Sequence, residues 1–233
     1  MEEIPPPCDY YYGLGRFCVD CATNSLPLPN QHPSSFLAPD YALSPEGAIV
    51  IDLTSPTLLT SHYSPEQYFV PTPPIAVIEE DIRVSRCWKF SGSQGHVAVK
   101  LAKPIRLTNM TVYSPDHWEL PSWRRAEAPK LFRVWALLPS DLAYPMSNMQ
   151  TIDWQYFLIA DGIQKPTVLE DASTFVRGNV ISYDIAHGTK QTFSVNFLTE
   201  FRTAIVIIEV LDNWGATTTC LHRLAVHGVE LIE

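Results

Sequence analysis

Long apolar runs are missing from this sequence. A helix that crosses a bilayer needs about 20 consecutive apolar residues, whereas the run Ala204 to Ile208 is stopped after five residues by Glu209. No membrane span is expected in this chain. The first residues show no secretory signal either, because Met1-Glu2-Glu3 leads into Pro5-Pro6-Pro7 rather than into a basic stretch and an apolar core. Basic residues are scarce where nucleic acid would need them. Residues 1–82 carry one, Arg16, against 11 acidic side chains, and residues 83–233 are near neutral with 15 basic and 14 acidic. A phosphate backbone would be repelled by the first third and meet no basic stripe after it, which argues against nucleic-acid binding. Cysteine is sparse too. Five in 233 residues, Cys8, Cys18, Cys21, Cys87 and Cys220, are too few for a disulfide-dense scaffold and leave one over.

Convergent catalytic groups are equally hard to find. The seven histidines follow no metal-ligand spacing, and no Gly-x-Ser-x-Gly elbow occurs. His222 and His227 read as structural or pocket-lining groups, since no carboxylate is placed beside either by sequence. The expectation is a protein that is not an enzyme. Cys18-Val19-Asp20-Cys21 has the spacing of half a zinc knuckle, but only the isolated His32 follows it, so two thiols in a flexible tail is the simpler reading. Asn109-Met110-Thr111 is a glycosylation sequon placed between predicted strands.

What the chain does have is short strands. Residues 1–38 form a Pro-rich, acidic tail without period, expected to be poorly ordered. From 39 to 233 the signals fit one all-β domain. Gly47 to Ile51 is a β-branched opening strand. His96 to Leu101 and Ile105 to Thr108 read as two consecutive antiparallel strands hinged at Lys103-Pro104, with Met110 to Tyr113 continuing the series. Leu131 to Leu137 and Phe193 to Phe197 alternate, and Ala204 to Ile208, apolar on both parities, belongs in the middle of the core. Cys220 to Val226 reads as a single half-buried closing strand with Cys220, His222, Leu224 and Val226 on one face. Thr54 to Pro74, rich in proline and aromatics, reads as a long excursion outside the core. The segment 139–192 is longer than the rest of the pattern requires and reads as an inserted, hairpin-rich region. Several strands, turn signals between them and no amphipathic stretch of helical length give a β-sandwich.

Three phrases carry a family resemblance. Asp40-Tyr41-Ala42-Leu43 before a short apolar strand, Cys87-Trp88 leading through Phe90 and Gly92 to Ser93-Gln94-Gly95, and Asn213-Trp214-Gly215 followed by Cys220, Arg223 and Val226-His227-Gly228 together resemble a SUN domain. The resemblance covers both ends of 39–231 and the Cys-Trp phrase, and leaves the middle unmatched. It implies a jelly-roll-like, galactose-binding-like sandwich and a protein-binding module for the lumenal C-terminal tail of a KASH-type protein, bridging the nuclear envelope to the cytoskeleton. It also implies a homotrimer and a place in the perinuclear lumen, given a membrane anchor outside this chain. Within the domain it implies a lid at 54–76, a segment that composition alone reads as an irregular surface loop. At 77–87 it implies a loop that wraps potassium or sodium through backbone carbonyls, near Val77, Ile82 and Arg86. No side-chain metal site is expected there.

The same resemblance pairs Cys87 with Cys220, the alternative being two buried free thiols. It assigns partner contact to Trp214, Thr218, Thr219 and His222. Thr218 and His222 stand where the family places tyrosines that frame the partner's terminal carboxylate. Strand alternation puts His222 on the pocket face, so a free imidazole there would tighten binding as pH falls from about 7.5 to 6. The alternative from another class is a lectin-like sandwich that stacks sugars on Trp118, Trp123 and Tyr144.

Overall fold

The β-branched and alternating runs pair into antiparallel ladders, as their periodicity requires. A computed structural model describes residues 38–59, 71–140, 150–157, 166–170, 172–197 and 200–230. The acidic tail with Cys8, Cys18, Cys21 and His32 lies outside the described residues, as do Tyr144 and the 60–70 portion of the expected lid. The strands in chain order are β1 (Ile49–Val50), β2 (Trp88–Ser91), β3 (Gly95–Tyr113), β4 (Pro129–Leu137), β5 (Thr151–Asp153), β6 (Thr174–Ser182), β7 (Lys190–Ser194), β8 (Thr203–Asn213), β9 (Thr218–Leu221) and β10 (Arg223–Val229). One short helix, α1 (Ser122–Ala126), lies between β3 and β4.

β3 is the joint of the sandwich. Its first part, Gly95 to Lys100, pairs with β1 and β8, and its last part, Arg106 to Tyr113, pairs with β10 and β7. The stretch expected as separate strands is thus one strand of 19 residues that changes sheets midway. Its register with β8 slips between Lys100 and Ile105. Lys103-Pro104 falls in that slip, where the ladder is already interrupted and a missing N–H costs nothing. The main sheet runs β1-β3-β8-β4-β6-β5, and β10 and β7 flank the far half of β3. β6 pairs with β4 along most of its length, so the segment 139–192 supplies sheet strands rather than surface hairpins alone.

The core lies between these layers. Val97, Val99, Phe132, Val134, Val206 and Ile208 face Met110, Val112, Leu224 and Val226 within one buried cluster. The opposite face of the main sheet buries Ala98, Trp135, Ile205, Ile207 and Phe175 against Leu53 and Phe157. β8 therefore has apolar side chains on both faces because both faces are covered.

The described ends of the 54–74 excursion are anchored at Ser55 and Thr72, which are buried, and the adjoining 3-10 turn Pro74–Ile78 buries Ala76, Val77 and Ile78 completely. One expectation needs correction: the closing strand is not continuous. It breaks at His222 into β9, paired with β2, and β10, paired with β3. Residues of both parities are then buried, including Leu221, Ala225 and His227, since each half packs in a different layer.

Candidate functional site

The Asn-Trp-Gly phrase makes the turn that feeds β9. Asn213, 3% exposed, donates its Nδ2 to the carbonyls of Ala216 (3.0 Å) and Thr218 (3.1 Å) and to Thr219 Oγ1 (3.1 Å). Its Oδ1 accepts from the Gly215 amide at 2.9 Å. Gly215 has φ 100°, which suits glycine, and Trp214 is left at the surface, 42% exposed, with Lys130 Nζ 5.3 Å from its ring. β9 then pairs with β2 in the register Trp88↔Leu221, Lys89↔Cys220, Phe90↔Thr219, Ser91↔Thr218. This ribbon brings Cys87 to Cys220, and the two form a disulfide with Cα atoms 5.5 Å apart across a separation of 133 residues.

The tail of α1 lies along the same ribbon, with the Cys220 amide donating to the Glu127 carbonyl at 2.9 Å. Glu127 is 1% exposed and fully engaged. Its Oε1 accepts from Lys89 Nζ (2.6 Å) and Thr218 Oγ1 (2.8 Å), and its Oε2 from Arg124 Nη1 (3.1 Å). Arg124 Nη1 also reaches the sulfurs of Cys87 (3.4 Å) and Cys220 (3.3 Å). Burial pulls the Lys89 ammonium below the ordinary lysine range, while the Glu127 carboxylate opposes that shift. Trp123 covers the cations, its ring 4.7 Å from Arg124 Cζ and 5.8 Å from Lys89 Nζ.

Sequence reasoning named Cys87, Cys220 and Thr218 here and missed Lys89, Arg124 and Glu127. Lys89 stands in the middle of the Cys-Trp-Lys-Phe phrase, and a charge inside an otherwise buried strand was the available signal. Trp214 is at the surface, as partner contact requires, whereas Thr219 and His222 are placed otherwise than expected. Thr219 has no exposed surface and donates to the Gly92 carbonyl at 2.7 Å, so its role is to hold the turn. His222 is not a free imidazole: it is 5% exposed, its Nδ1 donates to the Arg86 carbonyl at 3.1 Å, and burial foremost holds its pKa down to about 4. It sits at the β9–β10 break, where alternation no longer predicts direction. His227 is also structural, with Nδ1 donating to the Pro39 carbonyl (2.9 Å) and Nε2 facing Thr111 Oγ1 (2.8 Å).

The 77–87 loop engages two of its three acidic groups internally. Asp81 accepts from Arg83 and Glu79 from Arg86, at 2.6 Å each, and the Arg83 pair holds the Asp81 carboxyl down to about 2. Of the aromatics considered for sugar stacking, Trp118 is 80% exposed and Trp123 39%.

The fold and site define a class: a disulfide-clipped antiparallel β-sandwich whose clip is braced by a buried ion cluster. The chain matches the Sad1 / UNC-like C-terminal family over residues 69–177 and 170–230, and it belongs to that family. It is 28% identical over 197 residues to SUN domain-containing protein 3 of Mus musculus, covering 82% of this chain and 52% of that protein. It is 26% identical over 198 residues to the nuclear migration and anchoring protein unc-84 of Caenorhabditis elegans, covering 81% and 15%. Sperm-associated antigen 4 protein of Rattus norvegicus is 27% identical, with 84% and 39% covered. The chain thus spans about half or less of the length of these relatives. Among solved structures, the family 32 carbohydrate-binding module of Streptococcus pneumoniae EndoD is similar with a TM-score of 0.48 and 9% identity, over 82% of this chain and 100% of that one. Among the described residues no helix is long and apolar enough to cross a membrane.

Proposed function

We propose that this domain is a non-enzymatic protein-binding module that receives the lumenal C-terminal tail of a KASH-type protein and so takes part in bridging the nuclear envelope to the cytoskeleton. Membership of the Sad1 / UNC-like C-terminal family carries the reading, and the matched residues include the whole β2–β9 ribbon. Its place would be the perinuclear lumen, its assembly a homotrimer, and its 77–87 loop a seat for potassium or sodium on backbone carbonyls. Within that loop the carboxylates of Asp81 and Glu79 are already paired with Arg83 and Arg86.

The site itself modifies the expected contact. Thr218, which stands where the family places a carboxylate-framing tyrosine, already donates to the internal carboxylate of Glu127. A partner terminus at this point competes with Glu127 for Lys89, Arg124 and Thr218, and gains its apolar contact from Trp214 and Trp123. The test is fluorescence anisotropy with a labelled KASH tail peptide on the oxidised protein, with light scattering for assembly. Binding on the order of 10 µM or tighter, weakened when the peptide carries a C-terminal amide, supports the reading. No binding by an oxidised trimer sinks it. The glycan-binding alternative rests on the exposed Trp118 and predicts signal on a glycan array, where a tail receptor is blank.

A further inference from the structure

The clip contains a cluster that tail binding does not use. Cys87, Cys220 and His222 are all buried, and one ligand atom from each lies within 4.8 Å of the others. The ribbon causes this, since one further step of the Lys89↔Cys220, Trp88↔Leu221 register brings Cys87 beside His222. The imidazole is also oriented. The Arg86 carbonyl can only accept, so the ring proton sits on Nδ1 and Nε2 keeps its lone pair toward the sulfurs, 3.9 Å from Cys220 Sγ. A ring nitrogen tied to a backbone carbonyl with the other left to ligate is the outer-shell arrangement of metal-binding histidines.

We propose that in the reduced domain Cys87, Cys220 and His222 bind a thiophilic divalent cation, Zn²⁺ by preference, so that metal and disulfide are alternative occupants of one ligand set. Two thiolates and an imidazole select zinc over the oxygen-seeking magnesium and calcium. Every copy of the chain passes through this dithiol form, because cysteine is incorporated as a thiol. On binding, two thiols lose their protons to solvent, and two Zn–S bonds and one Zn–N bond form. On oxidation by a small-molecule disulfide, each cysteinate sulfur gives up one electron and the Cys87–Cys220 bond forms. The reagent's S–S bond takes both electrons and leaves as two thiolates, and Zn²⁺ is released.

The surroundings accommodate the exchange. Tetrahedral Zn–S bonds of about 2.3 Å put the sulfurs roughly 3.8 Å apart, within reach of side-chain rotation from Cα atoms 5.5 Å apart. Arg124 must withdraw from the sulfurs, and it keeps Glu127 as its counter-ion. Beside Cys220 and His222 lies a cavity of about 10 Å³, also lined by Ser114 and Tyr183, which has room for about one water as fourth ligand.

The test uses the full chain with Cys8, Cys18 and Cys21 changed to serine, so that tail thiols do not contribute. Reduced with a non-chelating phosphine and titrated with Co²⁺, it should bind equimolar metal and show thiolate-to-cobalt charge transfer with the visible bands of a tetrahedral site. The oxidised protein should bind none, and oxidised glutathione should release the metal in step with thiol loss. His222→Ala should weaken binding by roughly 100-fold or more, at least the upper end of what losing an outer-shell partner costs, while exposed His187→Ala changes nothing. X-ray absorption on the zinc form of the same tail-serine chain with His222 intact should find sulfur and imidazole together, which keeps the test independent of how His222→Ala folds. No metal bound by the folded, reduced protein, equal affinity in His222→Ala, or a zinc shell without imidazole would each overturn the proposal.

Discussion

His222 and His96 are both buried, and desolvation holds each near a pKa of about 4, well below the ordinary 6.5. His96 Nδ1 faces Ser55 Oγ at 3.3 Å, and His222 faces Arg86. A group whose folded pKa lies below its unfolded value takes up protons on unfolding between the two values. Stability is therefore complete above about pH 6.5 and falls as pH drops toward 4, by on the order of 3 kcal/mol per histidine. Urea midpoints measured from pH 7 to 4 should show this loss, and His96→Asn should flatten the curve; a stability unchanged down to pH 4.5 would mean neither histidine is held neutral. Tail binding, by contrast, should be flat from pH 7.5 to 6, because His222 does not titrate there. Glu127 sets a second test at this scale. Removing the ammonium with Lys89→Met leaves a buried carboxylate with one cation fewer and should cost about 3 to 5 kcal/mol. Adding Glu127→Gln should recover part of that cost, and strictly additive losses in the double-mutant cycle would show that the pair is not coupled.

Among the elements, the glycines of the motif phrases have specific steric reasons. A Cβ on Gly95 would stand 2.6 Å from the Phe90 ring, and one on Gly228 would stand 2.4 Å from the Arg106 carbonyl, at the slip between β10 and β3. The ring can turn, but the carbonyl belongs to a paired strand. Gly228→Ala should therefore destabilise by about 1 to 3 kcal/mol, lowering the urea midpoint at constant slope; a midpoint within experimental scatter of the wild type would show that β10 yields at no cost. Such residues were legible because the phrases are local: Asp40 caps its own turn at Ala42, and Asn213 closes its own loop. β8 was legible because burial on both faces leaves a two-parity run. The join within β3 and the break at His222 were not, since both are decided by which strand lies alongside. The ion cluster escaped for the same reason: Lys89, Arg124 and Glu127 meet only when β2, α1 and β9 are brought together.

For the whole molecule, the disulfide ties Cys87, just ahead of β2, to Cys220 in β9, and between them in sequence lie β2 to β8. A loop of 133 residues is long enough that closing it removes much of the unfolded chain's freedom. The chain-entropy value is about 5 kcal/mol, an upper figure because residual unfolded structure reduces it. The folded ribbon has other support, since Glu127 binds Lys89 of β2 and Thr218 of β9 directly. Reduction should therefore weaken the domain without dissolving it. In the presence of a chelator, which removes any metal that would offset the loss, the melting temperature should fall by up to about 10 to 20 °C, at roughly 2 to 4 °C per kcal/mol for a domain of this size. The double variant Cys87→Ser/Cys220→Ser should melt at the reduced value with or without reductant. If reductant leaves the wild-type melting temperature unchanged while thiol titration shows both cysteines free, the ion cluster holds the ribbon and the covalent bond adds little.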